Sequence, residues 1–114
     1  GRGRPPPARR AVRTRGHGRV KVTVRLPAAL RELARGEKAI EVELDDGPAT
    51  VATVLDALAT RLPAVERRVR DETGLLRRHV NVFVGDTNVR DGAGLAEPLP
   101  DGSEIQVIPA VSGG

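Results

Sequence analysis

The chain has 114 residues, 39% hydrophobic and 30% charged, which is material for one domain whose single core buries roughly 60 to 70% of the unfolded surface. It contains no cysteine, which excludes a disulfide framework, a thiolate metal site and a thiol nucleophile. The net charge of +4 is unevenly spread: residues 1–19 hold seven arginines and no acid, whereas from Val20 onward 12 basic residues face 15 acidic ones and the body is net −3.

Residues 1–18 (GRGRPPPARRAVRTRGHG) combine arginine, proline and glycine with few apolar side chains. Such a segment cannot offset the entropy of ordering, so a disordered tail is expected, with His17 carrying no chemistry. A basic arm on an acidic body suits nucleic acid, but Phe83 is the one aromatic and base stacking has almost no platform, so nucleic-acid binding is not expected. No apolar run approaches the roughly 20 residues that span a bilayer, and no apolar secretory segment opens the sequence. The expectation is a cytoplasmic protein without membrane contact.

From Val20 the pattern changes to alternation, with Val20, Val22, Val24 and Leu26 on one face and Lys21, Thr23 and Arg25 on the other, the mark of a half-buried strand. Pro27 closes it. Ala28 to Ala34 predicts two helical turns ended by Gly36. Ile40, Val42 and Leu44 then alternate with Glu41, Glu43 and Asp45 as a second strand.

After Asp46-Gly47-Pro48, Thr50 stands at the N-cap position of the main helix, ahead of Val51, Val54, Leu55, Leu58 and Leu62. Pro63 ends that helix by forcing its predecessor out of the α region. Residues 64–74 predict a second short helix with Val65 and Val69 inward and the charges in solvent. Val80, Val82 and Val84 mark a third strand, Gly85-Asp86 a turn, and residues 88–90 a short strand pairing back. Asp101-Gly102 turns the chain into a last strand, Glu104 to Ile108, with Ile105 and Val107 inward.

Strands interrupted by one central helix predict an α+β domain over residues 19–109, a small sheet with the helix across one face. This order is compatible with a β-grasp whose last strand lies beside the first. Residues 110–114 follow as a flexible tail ending in Gly113-Gly114. At the average glycine frequency of about 7%, two terminal glycines arise by chance in about one chain in 200. Without Cβ atoms they pass a channel too narrow for other residues and present a bare carboxylate to a partner's active site.

The stretch from Arg77 to Gly114 resembles the small β-grasp sulfur carriers, and the likeness covers about residues 20–114. Its marks are Val80-Asn81-Val82-Phe83-Val84, the Leu99-Pro100-Asp101-Gly102 turn and the ending Ile108-Pro109-Ala110-Val111-Ser112-Gly113-Gly114. That family is ubiquitin-like and comprises the molybdopterin synthase small subunit, the thiamine-pathway carrier and the carrier feeding a cysteine synthase. Leu76 to Asn81 and the ending Pro-Ala-Val-Ser-Gly-Gly make the chain most similar to the cysteine-forming type. Ser103 after the turn and Gly85 after the strand depart from common family residues, away from the implied chemistry.

The resemblance implies a β-grasp mixed sheet of about four to five strands under one main helix. It implies that a ubiquitin-activating-like enzyme uses ATP to adenylate the Gly114 carboxylate, that sulfur displaces AMP, and that the thiocarboxylate passes its sulfur to an accepting synthase. Gly114 is then the reacting residue, Gly113 supplies slimness, and Pro109, Ala110, Val111 and Ser112 supply reach and partner contact. The expected partner-facing surface is the open side of the sheet around the last strand. The chain itself is expected to be no enzyme and to bind no cofactor or metal, ATP belonging to the activating partner.

Two further readings stand beside this one. A molybdopterin synthase small subunit would pass sulfur to a pterin precursor, and a ubiquitin-like modifier would join Gly114 to a lysine of another protein. His79 lacks a serine, cysteine or acid at triad-like placement and reads as structural or exposed. Asp45-Asp46 reads as a solvated turn rather than a metal pair, and Gly92, Gly94 and Gly102 are too scattered for a phosphate cradle.

Overall fold

In the computed structural model, which describes residues 19–45 and 47–109, five strands form one mixed sheet crossed on one face by helices. The expectations for residues 1–18 and for Ala110, Val111, Ser112, Gly113 and Gly114 lie outside the described residues. The strands are β1 (Val20–Arg25), β2 (Ala39–Leu44), β3 (Val80–Val84), β4 (Thr87–Asn88) and β5 (Glu104–Pro109), in spatial order β2-β1-β5-β3-β4. β1 and β5 run parallel, and the other pairs are antiparallel.

Alternation decides which side chains reach the core. Val22 and Val24 of β1, Ile40 and Val42 of β2, Val80 and Val82 of β3, and Ile105 and Val107 of β5 are all buried on the helix-bearing face. The register confirms a common face, since Val24 stands opposite both Ile40 and Ile105, and Val82 opposite Val107. A slip of one residue would expose every one of these valines and isoleucines, so burial of one face locks the pairing.

The first predicted helix is a single α turn, α1 (Ala28–Arg31), continued by a 3₁₀ turn over Glu32–Ala34. Arg35 and Gly36 both take left-handed φ, 59° and 87°, and reverse the chain toward β2. The main helix is α2 (Val51–Arg61), with Val51, Val54, Leu55 and Leu58 fully buried. Thr50 caps it, its hydroxyl accepting from the Thr53 amide at 3.2 Å while Thr53 Oγ1 accepts from the Thr50 amide at 2.8 Å. This reciprocal pair satisfies two of the amides that the first helical turn leaves without partners.

Leu62 departs from helical geometry before Pro63, which is the first residue of α3 (Pro63–Val69). One expectation fails in this segment: the charges of residues 64–74 are not all in solvent. Arg70, at the end of α3, is only 7% exposed. Its Nε donates to Glu66 Oε2 at 2.7 Å and its Nη2 to Asp56 Oδ1 at 2.9 Å, so the guanidinium is sealed between α2 and α3 and paired from both. A buried cation survives because two carboxylates replace its water.

Gly85, with φ of 62°, opens the two-residue turn that pairs Val84 with Thr87. The predicted strand over residues 88–90 is displaced toward the turn, because Val89–Asp91 coil into a 3₁₀ turn that buries Val89 in the core. The Asp101-Gly102 turn docks on β1: the Lys21 amide donates to Asp101 Oδ1 at 2.9 Å and the Gly102 amide to the Lys21 carbonyl at 2.8 Å. These bonds seat β5 against β1, at the centre of the sheet.

Candidate functional site

The candidate site begins where β5 ends. β5 lies between β1 and β3, so backbone pairing on both sides aims it, and Pro109 stands opposite Val80 at the start of β3. Because β1 runs parallel to β5 and β2 and β3 run against them, Arg25, Ala39, Val80 and Pro109 share one end of the sheet. The segments 26–38 and 77–79 adjoin the same end. The chain from Ala110 to Gly114 follows directly from it in sequence.

Arg90 holds this end together. Its Nη2 donates to the Arg77 carbonyl at 2.6 Å and the Val80 carbonyl at 2.7 Å, and its Nε donates to Asn81 Oδ1 at 3.3 Å. Arg77 in turn donates from Nε to the Arg67 carbonyl at 2.8 Å. The start of β3 is thus tied to the 3₁₀ turn of residues 89–91, and through the strand ladder to the last residues of β5. No sequence motif announces this clamp; its signal is geometric, an arginine one residue beyond a two-residue hairpin strand and Val89.

The open face of the sheet carries Thr23 and Arg25, Asn81 and Phe83, and Glu104, Gln106 and Ile108. Ile108 is 37% exposed, next to the exit of β5 and paired across the ladder with Asn81. Phe83 and Gln106 help to line a hollow of about 290 Å³ on this face. An open sheet side with aromatic and aliphatic patches among polar residues suits a protein partner.

A second cleft of about 540 Å³ lies beside Arg90, lined by Leu75, Leu76 and the turn Ala93–Ala96. Leu75 is 61% exposed at its rim. Asp71 organises the loop leading to it, accepting from the Thr73 hydroxyl and from the amides of Thr73 and Leu75 at 2.8 and 3.2 Å. The Thr73 hydroxyl bond, with the two amides and the nearby Arg77 charge, holds the Asp71 carboxyl below its usual value.

Of the sequence-predicted site residues, Pro109 is placed at the end of β5, and Ala110, Val111, Ser112, Gly113 and Gly114 lie outside the described residues. His79 is exposed just before β3. Asp45 pairs with Arg19 at 3.1 Å. Among the described residues no group of three or more His, Asp or Glu side chains is arranged to hold a metal ion, and no helix is long and apolar enough to cross a membrane.

Comparison with known proteins gives these features a context. The ThiS family profile matches residues 24–114. The chain is 35% identical over 95 residues to the sulfur carrier protein CysO of Mycobacterium tuberculosis, spanning 82% of this chain and 98% of that protein. It is 41% identical over 90 residues to small archaeal modifier protein 1 of Haloferax volcanii, spanning 79% and 97%. A crystal structure of an Amycolatopsis orientalis BexX/CysO complex superposes with a TM-score of 0.70 at 36% identity, over 82% of this chain and 99% of the other.

Proposed function

The chain belongs to the ThiS family of β-grasp sulfur carriers, and on that premise we propose that it carries sulfur on the Gly114 carboxylate. A carboxylate at neutral pH resists nucleophiles, because its charge repels them and oxide is a poor leaving group. An adenylating partner overcomes this: a carboxylate oxygen attacks the α-phosphorus of ATP, pyrophosphate leaves, and an acyl adenylate forms at Gly114. Sulfide then attacks the carbonyl carbon, a C–S bond forms, and AMP departs with the electrons of the C–O bond that breaks. The thiocarboxylate so formed donates its sulfur to a synthase, with cysteine formation the favoured outcome given the resemblance to CysO.

The observation that carries this reading is the placement of β5. A strand held by β1 over residues 104–106 and by β3 over residues 105–109 delivers Pro109 to one end of the sheet, and the five residues after it reach about 17 Å at full extension. Gly113 and Gly114 enter a narrow channel, while Ala110 to Ser112 span the distance to the domain surface. Capture of a terminal carboxylate by backbone amides in a cleft is an established mode of recognition. The chain contributes the acyl group and its delivery; adenylation and sulfur transfer are the work of its partners, and ATP is bound by the activating enzyme.

The test is intact mass measurement after incubating the full chain with the adenylating enzyme encoded in the same genome, ATP and sulfide. The mass gain of one oxygen replaced by sulfur is expected. An unchanged mass overturns the proposal.

The 41% identity to small archaeal modifier protein 1 favours one second reading, in which the activated Gly114 is joined to lysines of other proteins. A ladder of covalent conjugates in lysate that disappears with Gly114 supports it. Sulfur transfer to a small acceptor without such a ladder supports the carrier alone.

A further inference from the structure

The topology sorts charges that the sequence leaves mixed. At the end of the sheet where β5 stops lie Arg31, Arg35, Lys38, Arg77, Arg78 and Arg90, set against Glu32, Glu37 and Asp91, and on the adjoining segment Arg67 and Arg68 stand with Asp71 and Glu72. At the opposite end lie Asp45, Asp86 and Asp101, set against Arg19 and Lys21. None of those six cations at the β5 end stands in an ion pair among the described residues, whereas Arg19 is paired with both Glu43 and Asp45. Arg31, Arg77 and Arg90 spend their hydrogen bonds on carbonyl or amide oxygens, which orient a guanidinium without neutralising it. A body that is net −3 from Val20 onward therefore shows a cationic end.

We infer that this cationic end, with Leu75 at the rim of the adjoining cleft, is a docking surface for an acid-lined opening on the adenylating enzyme, one that also offers an apolar side chain. The inference rests on the carrier reading and adds to it the chemistry of the partner. Cations without ion-pair partners gathered around the end of β5 attract an acidic opening locally and favour encounters made at that end. Steering of this kind acts on encounter and is screened by salt. The exposed Leu75 and the apolar lining of Leu76 and Leu95 act at short range and persist at high salt. The two contributions fall on one surface because Arg90 both lines the cleft and bonds to Val80, the register partner of Pro109.

The test compares kcat/KM for ATP-dependent loading of the full chain and three variants by the adenylating enzyme. Lys38→Glu with Arg78→Glu reverses two exposed charges at the β5 end. Arg19→Glu with Lys21→Glu makes the same change in net charge at the start of β1, away from that end. Leu75→Ser removes the apolar anchor. Residues 1–18 are kept in every protein, so their charge is constant, and thermal unfolding verifies each fold.

At low salt the Lys38/Arg78 variant is expected to lose about tenfold or more in kcat/KM, with kcat preserved. The loss should close near about 1 M salt, where the screening length is about 3 Å. The Arg19/Lys21 variant is expected to stay near the unaltered chain, and Leu75→Ser to raise KM at every salt concentration. Equal losses in the two charge variants, or no loss in either, overturn the inference while loading of the unaltered chain upholds the carrier reading. Failure to load the unaltered chain overturns both.

Discussion

Arg90 Nη2 lies 2.7 Å from the carbonyl oxygen of Val80, and through that bond a turn outside the sheet governs the strand facing the end of β5. With the bonds to Arg77 and Asn81, one side chain replaces hydrogen bonds that the start of β3 would otherwise seek from water.

Replacing Arg90 with alanine is expected to cost about 1.5 to 3 kcal/mol, the range for hydrogen bonds to a charged group. Hydrogen exchange should quicken first at Val80, Asn81 and Ile108 and leave the amides of α2 protected. Lysine at this position should recover only part of the loss, because an ammonium lacks the planar fork that reaches two carbonyls and an amide oxygen together. Urea unfolding and amide exchange measure both outcomes.

Arg70 yields a contrasting prediction, since its partners are carboxylates and it is buried. Arg70→Ala leaves Glu66, whose side chain is 13% exposed, without its counter-charge, and a loss of about 3 kcal/mol is expected in the urea midpoint. The double change Arg70→Met with Glu66→Leu should recover much of it, because removing both charges also removes the cost of keeping them from water. Asp56 is largely exposed, and its substitution with asparagine should cost under about 1 kcal/mol.

The Thr50–Thr53 pair predicts that Thr50→Ala destabilises the domain by about 1 kcal/mol, while Thr50→Asp retains the cap. Thermal unfolding distinguishes the two. Asp at this position also places a negative charge at the positive end of the helix dipole.

Asp71 predicts a pH response confined to acid. Its carboxyl titrates below its ordinary value chiefly because of the Thr73 hydroxyl, so the ionised form is favoured by folding. The contribution is present in full above the unfolded carboxyl value and disappears as pH falls through the lower folded value. Asp71→Asn should remove that part of the acid response, and carboxyl titration followed by NMR should place Asp71 below the ordinary aspartate value.

Gly114 predicts a separation of folding from function. Deleting Gly114, or replacing it with valine, is expected to abolish the sulfur mass gain and leave the thermal midpoint unchanged. Thermal unfolding and intact mass on the same preparation check both halves. A lowered midpoint in the deletion variant would contradict this expectation.

Much of this protein is written in stretches of five to fifteen residues. The valines of β1 and β3 alternate, Thr50 precedes the apolar spacing of α2, Pro63 interrupts, and Gly85-Asp86 turns, so each element is legible because its cause lies within a few residues. The family marks from Val80 to Gly114 are local too, which is why the resemblance to the sulfur carriers is legible in the sequence. The exceptions are instructive: Arg70 looks like one more solvated charge, and Val89 like a strand residue, until Asp56 and the core are brought beside them.

The amino-acid order by itself determined the strands, the helices and the Gly113-Gly114 ending, because periodicity, capping and turn chemistry act between near neighbours. Only the tertiary structure decided that β5 lies between β1 and β3, that Arg90 grips the strand opposite Pro109, and that Arg31, Lys38, Arg78 and their cationic neighbours gather at the end where β5 stops. Those arrangements depend on contacts between residues far apart in sequence, such as Lys21 and Asp101, which are 80 positions apart. Pairing at such distances is set by which faces must be buried together, a property of the whole core rather than of any segment within it.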